Sequence, residues 1–220
     1  MLCVPERQLS YAFMAAEAYW ILSGDNRVET IAPYNQHISQ FSDDGTTFFG
    51  AYGPKIFSQL DYVILKLCED PGTRQAGLTI WQENPPSTKD VPCTIAVFFN
   101  IRNLKLNCHI FMRSSDIWLG LPYDVFNFSM LAHLVCAELN QLSANVLEPG
   151  LLYLTMASSH LYDTNFDQAI RCTSGQVALS QNPTPEQLFM SRSDLMTRLR
   201  LLRDTKPGDH LRWWEVRDEA

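Results

Sequence analysis

The chain has 220 residues, of which 46% are hydrophobic and 19% charged, and its formal net charge is −7. This length and composition predict a single globular domain, residues 1–220, with a substantial hydrophobic core. The negative charge argues against a general affinity for nucleic acid. No apolar run reaches the roughly 20 residues of a membrane span, and the first ten residues do not form the pattern of an export signal.

Cysteine and histidine usage indicates the compartment and the absence of a metal site. Most of the six cysteines lie in apolar runs and none belongs to a Cys-x-x-Cys pair, which predicts reduced thiols in a cytoplasmic protein. The five histidines are scattered along the chain, so we predict that no metal is bound.

In chain order, the hydrophobic pattern predicts helices and hairpin strands in mixture. We predict helices over 9–23, ended at Gly24, and over 55–68, with loops between them. The runs "GLTIW", "CTIAVFFNI" and "LKLNCHIFMR" predict strands, the last two joined as a hairpin at 102–103. A helix over 125–143, a strand "LLYLTMAS", a helix over 161–173 and a helical tail from 185 follow. The fold class is therefore α+β (mixed α/β), not alternating βαβ.

Cys93 is a candidate nucleophile. A cysteine in a strand usually belongs to the core, but Cys93 follows Pro92 at the edge of its strand, where a thiol can face a cleft. Arg113 lies one hairpin away. An arginine placed beside a thiol lowers the pKa of that thiol and favours the reactive thiolate.

Three other polar residues stand out against apolar surroundings. Glu17 lies in the middle of an otherwise apolar helix, which predicts that its carboxylate is paired, hydrogen-bonded or functional. Asp124 follows Pro122 just before an apolar helix, where the local sequence favours a helix N-cap over a functional role. His160 lies at a strand-to-helix junction, where a surface histidine is the simpler interpretation.

Together these segments resemble the thymidylate synthase family over roughly residues 9–172. The most specific part is "PCTIAVFFNIRNLKLNCHIFMRSSDIWLGLPYD", which contains Pro-Cys and then Arg-Ser-x-Asp-x-x-Leu-Gly-x-Pro-aromatic. The segments "EAYWILSGD", "GAYGPKI", "EDPGTRQAGLTIW" and "SHLYDTN" are also similar to family segments. The resemblance implies a central mixed sheet flanked by helices, with one sheet face packed in a homodimer. It also implies 5,10-methylenetetrahydrofolate as co-substrate, a nucleotide as substrate, and no metal.

The resemblance assigns roles on the nucleotide side of the site. It implies that Cys93 attacks ring carbon 6, that Tyr52 lies near it, and that Glu17 organises water for proton transfer. The remaining residues would bind the phosphate or the sugar: Arg113, Ser114 and Ser115, with Arg74 from the other subunit, for the phosphate, and His160 and Tyr162 for the sugar hydroxyl. Ser158 is our candidate for reading the sugar at its 2′ carbon.

On the folate side, the resemblance implies that Asp116 orients the pterin. Leu119, Gly120 and Tyr123 would line the folate cleft. Ile38 and Phe41 occupy positions where the synthases carry tryptophans.

The resemblance also gives Asp124 a functional interpretation. Thymidylate synthases carry an asparagine there, which matches the hydrogen-bonding edge of uracil, whereas the aspartate is found in cytidylate hydroxymethylases. A carboxyl group can give a proton to ring nitrogen 3 of cytosine and accept from its amine. We therefore predict a cytidylate 5-hydroxymethylase acting on CMP or dCMP. The alternatives are a thymidylate synthase or dUMP hydroxymethylase, and an inactive nucleotide-binding relative.

Overall fold

The computed structural model describes residues 7–143, 146–174 and 191–205. The α-helices are α1 (Tyr11–Leu22), α2 (Val28–Ile31), α3 (Tyr52–Glu69), α4 (Leu121–Leu142), α5 (Phe166–Ser174) and α6 (Arg192–Asp204). The strands are β1 (Gly77–Thr79), β2 (Thr94–Arg102), β3 (Lys105–Met112), β4 (Ser115–Asp116), β5 (Glu148–Met156) and β6 (Ser159–His160). Two 3-10 helices, Gln36–Phe41 and Asp163–Asn165, complete the list. This mixture confirms the α+β prediction.

The main sheet has four strands in the order β1-β2-β3-β5. β1, β2 and β3 pair antiparallel, whereas β5 pairs parallel to β3, so the sheet is mixed as predicted. The predicted β2–β3 hairpin closes with a two-residue turn, in which Asn103 and Leu104 both have positive φ (53° and 60°). Two left-handed residues suit such a turn because its twist then matches that of the strands. A second small parallel sheet pairs β4 with β6.

Helices cover one face of the main sheet. α1 packs against α3, α4 and α6, and α3 and α4 in turn contact the strands. α4 is 22 residues long and largely buried because its sequence is apolar on most sides. None of the helices in the described ranges combines the length and the hydrophobicity that a bilayer span requires.

The opposite face of the sheet carries apolar side chains that are exposed to solvent. Phe98, Phe111, Leu151 and Tyr153 are exposed there, and Ile95, three residues before Phe98 on β2, is exposed as well. Alternation along a strand places Phe98, Phe111, Leu151 and Tyr153 on the face that the helices do not cover.

A chain of hydrogen bonds crosses this exposed face. The Leu151 N–H donates to Asn107 Oδ1 (2.8 Å), and Asn107 Nδ2 donates to Asn100 Oδ1 (3.1 Å). Asn100 Nδ2 then lies 2.7 Å from His109 Nε2, and the His109 ring stacks on Tyr153. Because the backbone N–H can only donate, both amides are oriented and His109 Nε2 is left to accept.

Some predicted helix bounds differ from those observed, and α4 matters most. It begins at Leu121 and not at 125, with Gly120 as its N-cap and Pro122 in its first turn, where proline is tolerated. Asp124 therefore lies inside the first turn, its own N–H donating to Gly120 O (3.0 Å). The N-cap interpretation of Asp124 is wrong. α3 begins earlier than predicted and α5 later, and residues 185–190 and 206–220 of the predicted helical tail lie outside the described residues.

Candidate active site

The β2–β3 hairpin places Cys93 beside Arg113, as the sequence predicts. The Arg113 N–H donates to Cys93 O (2.8 Å), which continues the strand pairing by one residue. The guanidinium group donates to the carbonyl oxygens of Pro92 (3.1 Å) and Val91 (2.8 Å). Arg113 therefore holds the loop that leads into Cys93.

A β-bulge adjusts this register. Ile95 is an extra residue, because Thr94 pairs with Met112 whereas Ala96 pairs with Phe111. The Ile95 carbonyl accepts from the N–H groups of both Ile80 (2.9 Å) and Trp81 (3.1 Å). Bulges next to active sites change the direction of side chains. Here the bulge shifts the strand register so that Cys93 lies opposite Arg113.

Burial decides the direction in which the pKa of Cys93 shifts. Burial raises the pKa of the thiol, and the Asp124 and Asp90 carboxylates raise it further, while the Arg113 charge acts in the opposite direction. Arg113 lowers the pKa of this thiol, as predicted, but burial outweighs the guanidinium charge, so the net shift is upward.

Tyr52 stands at the first turn of α3 and joins this group. Its hydroxyl accepts from the Thr94 N–H (3.2 Å), and its ring stacks on Phe128 with the centroids 6.1 Å apart. Burial raises the pKa of Tyr52, and the nearby Asp124 and Cys93 raise it further. The structure thus brings together Tyr52, Cys93 and Asp124.

Two carboxyl groups face each other between α1 and α4. Burial raises the pKa of Glu17 to about 7, against the opposing hydrogen bond from Asn127 Nδ2 to Glu17 Oε2 (2.8 Å). Burial, and then the charge of Glu17, raise the pKa of Asp124 to about 7. Near neutral pH, each group can therefore hold or release a proton. The prediction that Glu17 is hydrogen-bonded inside an apolar helix is confirmed.

Several buried polar atoms have no hydrogen-bond partner among the described residues. Those in or beside this group are Thr94 Oγ1, Ser115 Oγ, Asp116 Oδ2 and Asn127 Oδ1. Buried polar atoms are normally hydrogen-bonded, so each of these four atoms has bonding capacity that water or a ligand can fill. Sequence reasoning missed Thr94 and Asn127, although Asn127 is a polar residue in an apolar helix, the same signal that identified Glu17.

Residues predicted to bind phosphate and sugar meet at the β4–β6 pairing. Ser114 Oγ lies 3.3 Å from His160 Nδ1, and the His160 ring contacts Tyr162 edge-on at 5.1 Å. The Ser158 N–H donates to Arg113 O (3.1 Å), while the side chain of Ser158 is exposed. These residues therefore share one end of the sheet with Cys93.

Arg74 lies elsewhere in the chain. It is exposed on the loop before β1. Because Gly77 pairs with Phe98 in antiparallel register, Arg74 approaches the Arg102 end of β2, away from Cys93. Within one chain Arg74 is not part of the Cys93 group.

Asp116 has one side-chain oxygen bonded to the backbone and one without a partner among the described residues. Its Oδ1 accepts from the N–H groups of Trp118 (2.7 Å) and Leu119 (2.8 Å), which fixes the side chain and leaves Oδ2 buried and unpartnered. The Arg7 guanidinium holds the same turn through Trp118 O (2.9 and 3.1 Å). An acceptor of this kind fits an N–H donor of a ligand.

The other predicted folate-side residues have separate placements. Tyr123 accepts at its hydroxyl from the Ser10 N–H (3.1 Å). Leu119 is exposed beside Gly120. Ile38 and Phe41 lie on the first 3-10 helix, where Phe41 is exposed and Ile38 packs partly on the core.

A cavity of about 430 Å³ lies apart from this group and shares no lining residue with it. Its acidic residues are occupied: Asp44 accepts from the N–H groups of Thr46 and Thr47, and Asp43 accepts from Thr88 and Lys89. Its lysine, Lys55, donates to Phe49 O (2.8 Å). In the described parts of the chain, no three histidine, cysteine or acidic side chains converge as metal ligands.

The raised pKa of Glu17 predicts a pH-dependent stability. The folded pKa of about 7 exceeds the ordinary 4.5, so the folded state binds the proton more tightly, and stability is lost as pH rises from the lower value through the higher. Glutamine cannot ionise. At pH 8, Glu17→Gln should be more stable than the wild type by roughly 1–3 kcal/mol, and the difference should vanish near pH 4.5. Urea unfolding at both pH values measures this.

The matched control is Glu69→Gln, because Glu69 is mostly exposed and pairs with Lys66 at the surface. It should leave the pH dependence of stability as in the wild type. Equal stabilities of Glu17→Gln and wild type at both pH values would contradict a raised pKa.

Comparison with known proteins places this geometry in a family. The family model for thymidylate synthase matches residues 3–197. A deoxyuridylate hydroxymethyltransferase of Bacillus phage SP01 is 32% identical over 178 residues, covering 71% of this chain and 44% of the phage protein. The chain thus spans less than half the length of that relative. With a match over most of its residues, the chain belongs to the thymidylate synthase family.

Proposed function

We propose that this chain transfers a one-carbon unit from 5,10-methylenetetrahydrofolate to ring carbon 5 of a cytidylate, CMP or dCMP, and leaves it as a hydroxymethyl group. Family membership supports the reaction class. The observation that carries the choice of base is Asp124, a carboxyl group with a pKa of about 7 beside Cys93 and Tyr52.

The protonated carboxyl of Asp124 offers one donor and one acceptor. Cytosine presents an acceptor at ring nitrogen 3 and a donor at its exocyclic amine, so the two edges match. Ring nitrogen 3 can also take the proton, and the resulting carboxylate then faces a cationic ring. An amide at this position could donate but could not transfer a proton.

Cys93 is the proposed nucleophile. Its sulfur forms a bond to ring carbon 6, and the electron pair of the 5,6 double bond moves to ring carbon 5, which then attacks the one-carbon unit. Because burial raises the pKa of the free thiol, its proton must leave as the nucleotide binds. Arg113, beside Cys93, favours the thiolate, and Glu17 would take up and return protons through water.

The folate side of the site fits the co-substrate. When bound, 5,10-methylenetetrahydrofolate supplies an electrophilic one-carbon unit. Asp116 would hold the pterin by accepting an N–H at its free Oδ2, with Leu119, Gly120 and Tyr123 lining the cleft and Ile38 and Phe41 beside it. Water completes the reaction in a hydroxymethylase, whereas hydride completes it in a synthase.

A second candidate is hydroxymethylation of dUMP. The name of the phage relative, deoxyuridylate hydroxymethyltransferase, favours it. A protonated Asp124 turned over could accept from ring nitrogen 3 of uracil and donate to its carbonyl oxygen. Ser158, His160 and Tyr162 are the proposed sugar-binding residues for either base.

Asp124→Asn tests the choice of base. We expect the wild type to prefer CMP or dCMP to dUMP. The variant should lose on the order of 10²-fold in kcat/KM for cytidylate, because the amide cannot give its proton to ring nitrogen 3. The measurement is a panel of CMP, dCMP, UMP and dUMP with the folate, read by mass spectrometry.

Asp61→Asn is the control, since Asp61 is exposed on α3, and it should keep the wild-type preference. A wild-type preference for dUMP would replace our proposal with the second candidate. Cys93→Ala should abolish tritium release from 5-tritiated nucleotide, and retained release would contradict the mechanism. A wild type that releases no tritium would instead favour an inactive binding relative.

We further propose that the exposed sheet face packs against a second copy of this chain. Its apolar side chains, Phe98, Phe111, Leu151 and Tyr153 among them, form a patch larger than isolated surface residues make. The position of Arg74, away from Cys93 in its own chain, suits a contribution to the phosphate site of the other subunit.

Phe111→Glu tests this interface. The charge would be buried without a partner in a dimer, so we expect a monomer by light scattering at concentrations where the wild type is a dimer. Leu142→Glu, at an exposed position on the end of α4, is the control and should remain dimeric. A wild-type monomer, or a Phe111→Glu dimer, would contradict the proposed interface.

Subunit mixing tests the role of Arg74. Arg74→Ala and Cys93→Ala should each be nearly inactive alone. In a mixed dimer, one site combines Cys93 of the first chain with Arg74 of the second, so re-equilibrated mixtures should recover about a quarter of wild-type activity. No recovery from demonstrated mixed dimers would mean that Arg74 acts within its own chain.

A further inference from the structure

Asn127 has an unusual environment for a buried amide. Its side chain is only 6% exposed on α4, yet it makes one hydrogen bond, from Nδ2 to Glu17 Oε2 (2.8 Å). Its Oδ1 is buried with no partner among the described residues. Buried side-chain amides normally use both ends.

Asn140, on the same helix, shows what a structural amide does. Its Nδ2 donates to Leu147 O (2.9 Å) and its Oδ1 accepts from the Leu147 N–H (2.7 Å), which ties the following loop to α4. Asn127 makes no such bridge. Its one side-chain hydrogen bond within the described residues is the donation to the carboxyl group of Glu17.

The position of Asn127 links it to Asp124 as well. The two residues are three apart on α4, so they lie on the same face of the helix. That face meets Glu17 of α1: Asn127 donates to it, and Asp124 feels its charge. Of the two carboxyl groups, only that of Glu17 accepts a hydrogen bond from the side-chain amide of Asn127.

We propose that Asn127 is a positioning residue that keeps the negative charge of this carboxyl pair on Glu17 and leaves the proton on Asp124. The inference rests on the proposed function, in which Asp124 donates to the base and Glu17 accepts protons. A donor to one carboxylate stabilises its charged form, and repulsion between the two groups then favours the neutral form of the other. A neutral amide does this without adding a charge of its own.

The test is a site-resolved titration of the protein without nucleotide. Carbon-13 NMR of the side-chain carboxyls, assigned with Glu17→Gln and Asp124→Asn, gives the midpoint for each group. In the wild type, Glu17 should titrate below Asp124. In Asn127→Leu, which keeps the approximate shape and removes the donor, the Glu17 midpoint should rise by about one pH unit and the order should invert.

Asn140→Leu is the matched control, with the same substitution on the same helix. It should lower the stability of the protein and leave both midpoints unchanged. If Asn127→Leu does not fold, Asn127→Asp keeps the shape of the side chain, and its own charge should likewise raise the Glu17 midpoint. Unchanged midpoints in the folded variants would overturn the proposal, as would a wild type in which Asp124 titrates first.

A kinetic readout separates positioning from a structural role. With the nucleotide that the wild type turns over, the acid limb of kcat against pH should move up in Asn127→Leu, by the same amount as the Glu17 midpoint, with KM little changed. A uniform loss at every pH would contradict a role through Glu17. Shifted midpoints in a protein that turns over no nucleotide would instead contradict the proposed function, and the assignment of Asn127 would stand.

Discussion

The desolvation of two carboxyl groups where α1 meets α4 is the constraint around which the site is arranged. Glu17 and Asp124 each have a pKa of about 7, in surroundings that penalise charge. Both cannot be ionised together without a cost in folding free energy. Near neutral pH these groups can therefore keep a proton that a lone surface carboxylate would have released.

The start of α4 makes this arrangement possible. If Asp124 capped the helix, its carboxylate would be satisfied by backbone N–H groups and would stay ionised. Gly120 takes the cap position, so Asp124 lies in the first turn of the helix, four residues after the cap, and is free of that bonding. Cys93 and Tyr52 then lie close enough to feel its charge. A shift of a few residues in a helix boundary thus separates a structural carboxylate from one available to a ligand.

The sequence predicts what depends on local pattern and fails where tertiary burial decides. The β2–β3 hairpin and the meeting of Cys93 with Arg113 follow from strand periodicity. The pKa of Cys93 does not, because the desolvation that raises it comes from residues distant in the chain. The strands β4 and β6 have two residues each and leave no periodic signal. Asn127 could have been found by the reasoning applied to Glu17, a polar side chain inside an apolar helix.

Because of the bulge at Ile95, the paired stretch of β2 contains one residue more than the stretch of β3 that it faces. From the turn to Thr94 the pairing advances by one residue more on β2 than on β3. In unbroken register Cys93 would stand opposite Ser114, and the side chains beyond the bulge would exchange faces. The alignment of Cys93 with Arg113 therefore depends on leaving one extra residue of β2, Ile95, out of the pairing. Deleting Ile95 would remove the extra residue and make the ladder regular, with Cys93 still opposite Arg113 but without the carbonyl that Ile80 and Trp81 share.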